Sequence, residues 1–175
     1  MTELPTDLLD LAKDVLVAAK AANARIVTAE SCTGGLISSC LTAIAGSSAV
    51  MDAGFVTYSN DSKIRLLGVP RDAIAEHGAV SDIVAAAMAE GALAQADADI
   101  CVACTGIAGP DGGTKDKPVG LVFLALAQTD QDASVKRYVF AGTRTDIRRA
   151  TVAAALELLL ARLRSEEHTS ELQSH

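Results

Sequence analysis

Tryptophan is absent from the 175 residues, and two tyrosines and three phenylalanines are the whole aromatic complement. Half of the residues are apolar nonetheless, so Ala, Val, Leu and Ile must fill the interior. A core of close-packed small side chains suits a layered α/β fold. Positive charge is also scarce: 15 Lys and Arg stand against 22 Asp and Glu, a formal charge of −7. A nucleic-acid binder needs a basic face to displace counterions, so the charge argues against that class. No apolar run reaches the roughly 18–20 residues of a membrane span. The opening MTELPTDLLD is acidic from the start and is not a secretory signal. These features predict a cytoplasmic protein without a membrane partner, built around one core rather than two.

Histidine is nearly absent as well. The last stretch, RSEEHTSELQSH from Arg164 to His175, breaks with the Ala/Leu-rich helix before it and reads like a translated sequencing adapter. Residues 1–163 are therefore expected to form the domain, with 164–175 a non-native tail. Without that tail the charge is −5 and His77 is the one histidine left. A histidine-rich metal site is then impossible, and a Ser-His-Asp triad would rest on His77 alone. In AIAEHGAV, His77 precedes a glycine where a helix stops, so it reads as a favourable cation at a helix C-terminus. Four cysteines occur, at 32, 40, 101 and 104. Cys101 and Cys104 form a C-x-x-C inside DICVACTG, a strand pattern. Residues three apart on a strand point to opposite faces, so both read as small core side chains of a reduced protein.

The order of elements follows from periodicity and breakers. Residues 4–22 carry apolar side chains at helical spacing. RIVTAES is a short strand, and GGLISSCLTAIAG a helix of about ten residues closed by Gly46. DAGFVTYSN is a second strand, and NDSKIRLLGV a short helix with Asn60 as its N-cap. PRDAIAEHG is a helix opened by Pro70, and a longer helix begins at Ser81. DICVACTG is strand three, and a Gly/Pro loop runs from Ile107 to Pro118. VGLVFLALAQ and SVKRYVFAG are strands four and five with TDQDA between them, and the final helix spans about Thr145 to Leu163. This order predicts a three-layer α/β/α fold with a mixed sheet of about five strands.

Three strand-to-helix junctions hold residues that turn closure does not require, and sites in open α/β sheets gather at such junctions. In TAESCTGGL, Ser31 sits at the bend with the N–H groups of Cys32, Thr33 and Gly34 near a helix start. Those donors suit an anion or an oxyanion; a Ser/Thr-capped helix explains them equally. In VTYSNDSKIR, Lys63 lies in the first turn of a helix, where cations are disfavoured. Burial and the helix dipole would lower its pKa and yield the neutral amine that a Ser–Lys dyad needs, with Tyr58 nearby. The competing reading is a surface lysine paired with Asp61 or Asp52. In CTGIAGPDGGTKDKPVG, glycines 106, 109, 112 and 113 allow close backbone approach to a ligand. The loop fails both the Walker and the dinucleotide G-x-G-x-x-G patterns.

Together TAESCTGG, Y-S-N-x-x-K, TGIAGPxGGTxxKPVG and FxGxRxxIR resemble the CinA C-terminal domain family, from about Leu8 to Leu163. Its characterised members include bacterial nicotinamide mononucleotide amidohydrolases. The resemblance implies Ser31 as nucleophile, Lys63 as general base and Tyr58 as assisting hydroxyl. It implies Thr105 and Gly106 as the turn facing the serine, and Glu30 as a carboxylate orienting the lysine or the substrate amide. Gly109, Gly112 and Gly113 would line the substrate, with Arg144 and Arg148 as candidates for its phosphate. The implied reaction, a step of pyridine nucleotide salvage, needs no metal or organic cofactor, and the implied assembly is a homodimer or higher homo-oligomer. A non-catalytic nucleotide-binding module is the alternative, which has no use for Lys63 at a helix start. A DNA-associated competence factor fits the charge poorly, and Cys32 beside Ser31 permits thiol catalysis.

Overall fold

The computed structural model describes residues 3–174. Among them, five strands form one mixed sheet: β1 (Ile26–Glu30), β2 (Met51–Val56), β3 (Ile100–Gly106), β4 (Leu121–Gln128) and β5 (Gln131–Val139), in the order β2-β1-β3-β4-β5. β2, β1 and β3 run parallel, while β4 is antiparallel to both β3 and β5. Helices α1 (Thr6–Ala21), α2 (Leu36–Thr42) and α6 (Arg144–Gln173) pack on one face. Helices α3 (Asn60–Leu67), α4 (Arg71–His77) and α5 (Asp82–Gln95) cover the other. The expected three-layer mixed-sheet α/β fold is thus the observed one.

Strand alternation sorts the small apolar side chains between the two layers. On β3, Ile100, Val102 and Cys104 face α1, α2 and α6, while Cys101 and Ala103 face α5. The two C-x-x-C thiols therefore lie on opposite sides of the sheet, as their spacing requires. Glycine is essential where α5 crosses α3. A Cβ on Gly91 would run into the carbonyl oxygen of Leu67, so this residue sets how deeply α3 seats against the sheet.

Several boundaries differ from the sequence reading. The N-cap of α3 is Ser59, whose hydroxyl accepts from Ser62 N at 3.0 Å, and Asn60 is already helical; a serine hydroxyl satisfies the free N–H as well as an asparagine would. Only Thr129 and Asp130 separate β4 from β5, with Asp130 at φ +62°. Gln131 to Ala133, expected in the turn, begin β5 because the tight left-handed corner lets pairing resume at once. The last helix starts at Arg144, behind a capping box in which Thr143 and Asp146 cap each other. It continues to Gln173 rather than ending at Leu163, since Glu, Leu and Gln favour helix and neither Gly nor Pro interrupts. Gln128 and Glu166 are hydrogen-bonded across to this extension. His77 ends α4 before Gly78, as expected. Among the described residues no helix is long and apolar enough to cross a membrane.

The connections create a crevice. From β1 the chain moves outward through α2 to β2 on one edge, then returns through α3, α4 and α5 to β3 on the other side of β1. Chains leaving the carboxyl ends of β1 and β2 therefore diverge, to α2 on one face and α3 on the other, and the loop leaving β3 closes the crevice beside them, at the strand ends where such sheets bind ligands.

Candidate active site

Ser31 follows β1 directly, and Lys63 reaches it from the first turn of α3. Lys63 is 1% exposed, and its Nζ lies 3.0 Å from Ser31 Oγ. The amine also donates to the carbonyl oxygens of Thr57 at 2.7 Å and Tyr58 at 3.3 Å. Among the described residues no carboxylate pairs with it; the surface pairing with Asp61 or Asp52 is replaced by Arg65–Asp61 and Arg25–Asp52 contacts. Burial lowers the pKa of Lys63, opposed by the neighbouring thiols of Cys104 and Cys32. With two N–H bonds directed at these carbonyls, the amine turns its third position to Ser31, an N–H when protonated and the lone pair when neutral. An amine held in this way can accept the hydroxyl proton.

The turn after β1 is fixed by its own backbone and by two charged side chains. Ser31 N donates to the Cys104 carbonyl at 3.1 Å, and Gly34 N donates to the Ser31 carbonyl at 3.0 Å. The Gly34 N–H is therefore spent on the turn, which corrects its place among the oxyanion donors. The N–H groups of Cys32 and Thr33 have no backbone acceptor among the described residues.

Glu30 is 0% exposed and touches neither Lys63 nor the cavity. Its Oε1 accepts from Thr33 Oγ1 at 2.6 Å and Ile37 N at 2.8 Å; its Oε2 accepts from Ser38 N at 3.1 Å and Ser38 Oγ at 3.0 Å. The carboxylate satisfies free N–H groups at the start of α2, so the expected contact with lysine or substrate is not made. Arg148 is likewise turned away from the cavity. Its guanidinium donates to the carbonyls of Cys32 at 3.1 Å and Thr33 at 3.2 Å. Peptide planarity then aims the Thr33 and Gly34 N–H groups the opposite way.

An open cavity of about 280 Å³ lies over the dyad. Thr105 and Gly106, at the end of β3, form the wall facing Ser31, with the Thr105 hydroxyl donating to the Ala79 carbonyl at 2.8 Å. Gly106 has to lack a side chain, because a Cβ there would come within 2.7 Å of Val122 Cγ2. Gly109 and Gly112 line the cavity; Gly113 does not, being packed against Val119. Arg144 stands at the mouth, donating to the Gly109 carbonyl at 2.8 Å and to Tyr58 Oη at 3.1 Å. Tyr58 is 62% exposed, and its hydroxyl meets Arg144 rather than the amine. Only the Tyr58 carbonyl reaches Lys63, because the chain turns between the two side chains.

Sequence reasoning missed Asp111 and Ala79 as lining residues and treated Asn60 only as a cap. Asp111 had a signal in the glycine loop; Ala79 had none, since the α4–α5 connection reaches the site only through packing. Cys104 was read as plain core, but its Sγ lies 3.1 Å from Thr33 Oγ1 in the nucleophile turn. Among the described residues, no three His, Cys, Asp or Glu side chains cluster as metal donors.

Comparison with known proteins adds to this geometry. The profile of the CinA C-terminal domain matches residues 8–163. The nicotinamide-nucleotide amidohydrolase PncC of Escherichia coli (strain K12) is 47% identical over 154 residues, covering 88% of this chain and 93% of that protein. A CinA-like protein of Geobacter sulfurreducens is 56% identical over 138 residues, 79% of this chain but 33% of its own length. Among solved structures, the competence/damage inducible protein CihA from Agrobacterium tumefaciens superposes with a TM-score of 0.89 at 47% identity, over 94% of this chain and 99% of that one.

Proposed function

Because this chain belongs to the CinA C-terminal domain family, we propose that it hydrolyses the carboxamide of nicotinamide mononucleotide, yielding nicotinic acid mononucleotide and ammonia. One observation carries the reading: the buried, carbonyl-fixed amine of Lys63 lies 3.0 Å from Ser31 Oγ beneath an open cavity. The similarity to an amidohydrolase over nearly its whole length supports the substrate class. Ser31 attacks the amide carbon while neutral Lys63 takes its proton. The Cys32 and Thr33 N–H groups receive the developing oxyanion, each such donor being worth about 3 kcal/mol. Protonated Lys63 then gives its proton directly to departing ammonia, and water hydrolyses the acyl-enzyme by the same path in reverse. The electron-poor pyridinium ring assists both attacks.

Arg144 holds the phosphate at the cavity mouth, and Tyr58, tethered to it, flanks the ring or ribose. Thiol catalysis by Cys32 is disfavoured because the lysine amine is bonded to the Ser31 hydroxyl, whereas the neighbouring Cys104 and burial push the Cys32 thiol well up. Ammonia release from nicotinamide mononucleotide tests the proposal. Ser31→Ala and Lys63→Ala should each lower kcat by at least about 1,000-fold, with the double variant no worse, because the pair acts as a unit. Full binding of the nucleotide without ammonia release from the unaltered protein would refute hydrolysis and leave a binding module.

A further inference from the structure

The cavity over the dyad carries one acidic side chain for which the hydrolysis so far has no use. Of the residues lining it, Asp111 alone is a carboxylate, and Lys63 and Arg144 are the two cations. Lys63 is buried at the floor beside Ser31, whereas Arg144 stands at the mouth. Asp111 belongs to the loop between β3 and β4, at the open position of TGIAGPxGGT, so the carboxylate is a property of this chain rather than of the shared pattern.

The fold does not consume this charge. Asp7, Asp52, Asp61 and Asp97 each pair with an arginine, and Asp146 caps α6. Asp111 is exposed and has no hydrogen-bond or ion-pair partner among the described residues, Arg144 included. Its loop is fastened by other groups. Arg144 donates to the Gly109 carbonyl, Thr114 and Lys117 close a turn, and Lys117 Nζ donates to the His77 carbonyl. An unpaired carboxylate on a cavity wall attracts positive charge, and the walls concentrate its field. Nicotinamide mononucleotide carries both signs, a phosphate and a ring nitrogen with a full positive charge. Arg144 is available for the first. Without Asp111 the second would meet only the two cations.

We propose that Asp111 is the counter-charge of the pyridinium ring, so that this site selects carboxamide nucleotides with a cationic ring over those with a neutral one. The proposal rests on the mononucleotide reading above and names what that site distinguishes. Asp111 acts on binding, since it is not in contact with Ser31 or Lys63. One charge pair across several ångströms of partly wet space changes affinity by about tenfold.

The probes are nicotinamide mononucleotide and its 1,4-dihydro form, which keeps the phosphate, ribose and carboxamide but has an uncharged ring. Their dissociation constants are measured by calorimetry on the full chain carrying Ser31→Ala, so that nothing turns over. The oxidised form should bind about tenfold more tightly, and less so as salt rises from about 0.05 to 0.5 M. Adding Asp111→Asn should weaken the oxidised form about tenfold and leave the dihydro form within about twofold. Asp111→Glu should keep the preference. Asp116→Asn, on the same loop but away from the cavity, should change neither affinity. With Ser31 intact, Asp111→Asn should raise KM about tenfold at unchanged kcat and unchanged melting temperature. Equal weakening of both forms would assign the carboxylate to the ribose or the loop and overturn the proposal, as would a preference that survives Asp111→Asn. If the unaltered protein binds the mononucleotide but releases no ammonia, the hydrolase reading fails separately, and the two affinities still decide the role of Asp111. If neither nucleotide binds, the substrate reading and this proposal fall together.

Discussion

Glu30→Gln tests whether the buried carboxylate supports the nucleophile turn or takes part in the chemistry. Each carboxylate oxygen accepts two hydrogen bonds, one of them from a backbone N–H: Ile37 N on Oε1 and Ser38 N on Oε2. A glutamine keeps one oxygen, so one N–H retains its acceptor while the other faces an NH₂ group. The hydroxyls can turn elsewhere, because Ser38 Oγ is already 2.5 Å from Thr28 Oγ1 and Thr33 Oγ1 is 3.1 Å from Cys104 Sγ. One buried N–H left without an acceptor costs about 2 kcal/mol. That corresponds to a fall in melting temperature of about 4–8 °C for a chain of this size. Glu30→Ala strands both N–H groups and should cost about 4 kcal/mol, roughly twice the fall.

Thermal unfolding by circular dichroism reads these shifts, and ammonia release on the same samples reads the consequence. Glu30→Gln should lower kcat modestly, leave KM for nicotinamide mononucleotide unchanged and leave the pH profile where it was. A Glu30→Gln protein that melts with the unaltered one yet loses turnover would refute this reasoning and return the carboxylate to the reaction.

Burial lowers the pKa of Lys63 below its ordinary 10.5, so kcat/KM should fall tenfold per pH unit once the pH drops below that lowered value; a rate independent of pH there would contradict the base role. The unfolded chain keeps the Lys63 proton to higher pH than the folded one, so this residue makes stability rise with pH between the two values. Lys63→Met should remove that slope, and its stability relative to the unaltered protein should be most favourable at low pH, as denaturant titrations at several pH values would show. Arg144→Ala should raise KM for the mononucleotide by about 10- to 100-fold, the loss expected for a charged hydrogen-bonding group, without changing the melting temperature. Arg148→Ala should instead lower kcat and the melting temperature together, since its partners are the carbonyls of Cys32 and Thr33; equal effects on KM from the two arginines would undo this division. Gly91→Ala should cost about 2 kcal/mol through the clash with Leu67 and lower turnover by shifting α3 under Lys63; a melting curve and a single rate measurement suffice.

Much of this was legible in the residues themselves. The strand and helix order followed from local periodicity, and the helix expected from Ser81 does start there, with Ser81 as its N-cap. Cys101 and Cys104 had to face opposite layers, since strand alternation is a property of the chain alone. Ser31 and Lys63 were singled out by motif and by the odd placing of a cation in a first helical turn, and they meet in the fold. Partners across the sheet were not legible. That Arg148 holds the turn while Arg144 stands at the cavity mouth, and that Tyr58 points to Arg144, depend on contacts between residues far apart in sequence; Glu30 serves α2 within eight residues, through the path of a turn that residue types alone do not fix. The contact of Thr33 with Cys104 is of the long-range kind, arising from the parallel register of β1 and β3. Local sequence determines which groups are present and the secondary structure that carries them. Only the packing of that structure decides which groups face each other, because hydrogen bonding and charge act over a few ångströms of space however many residues separate the partners along the chain.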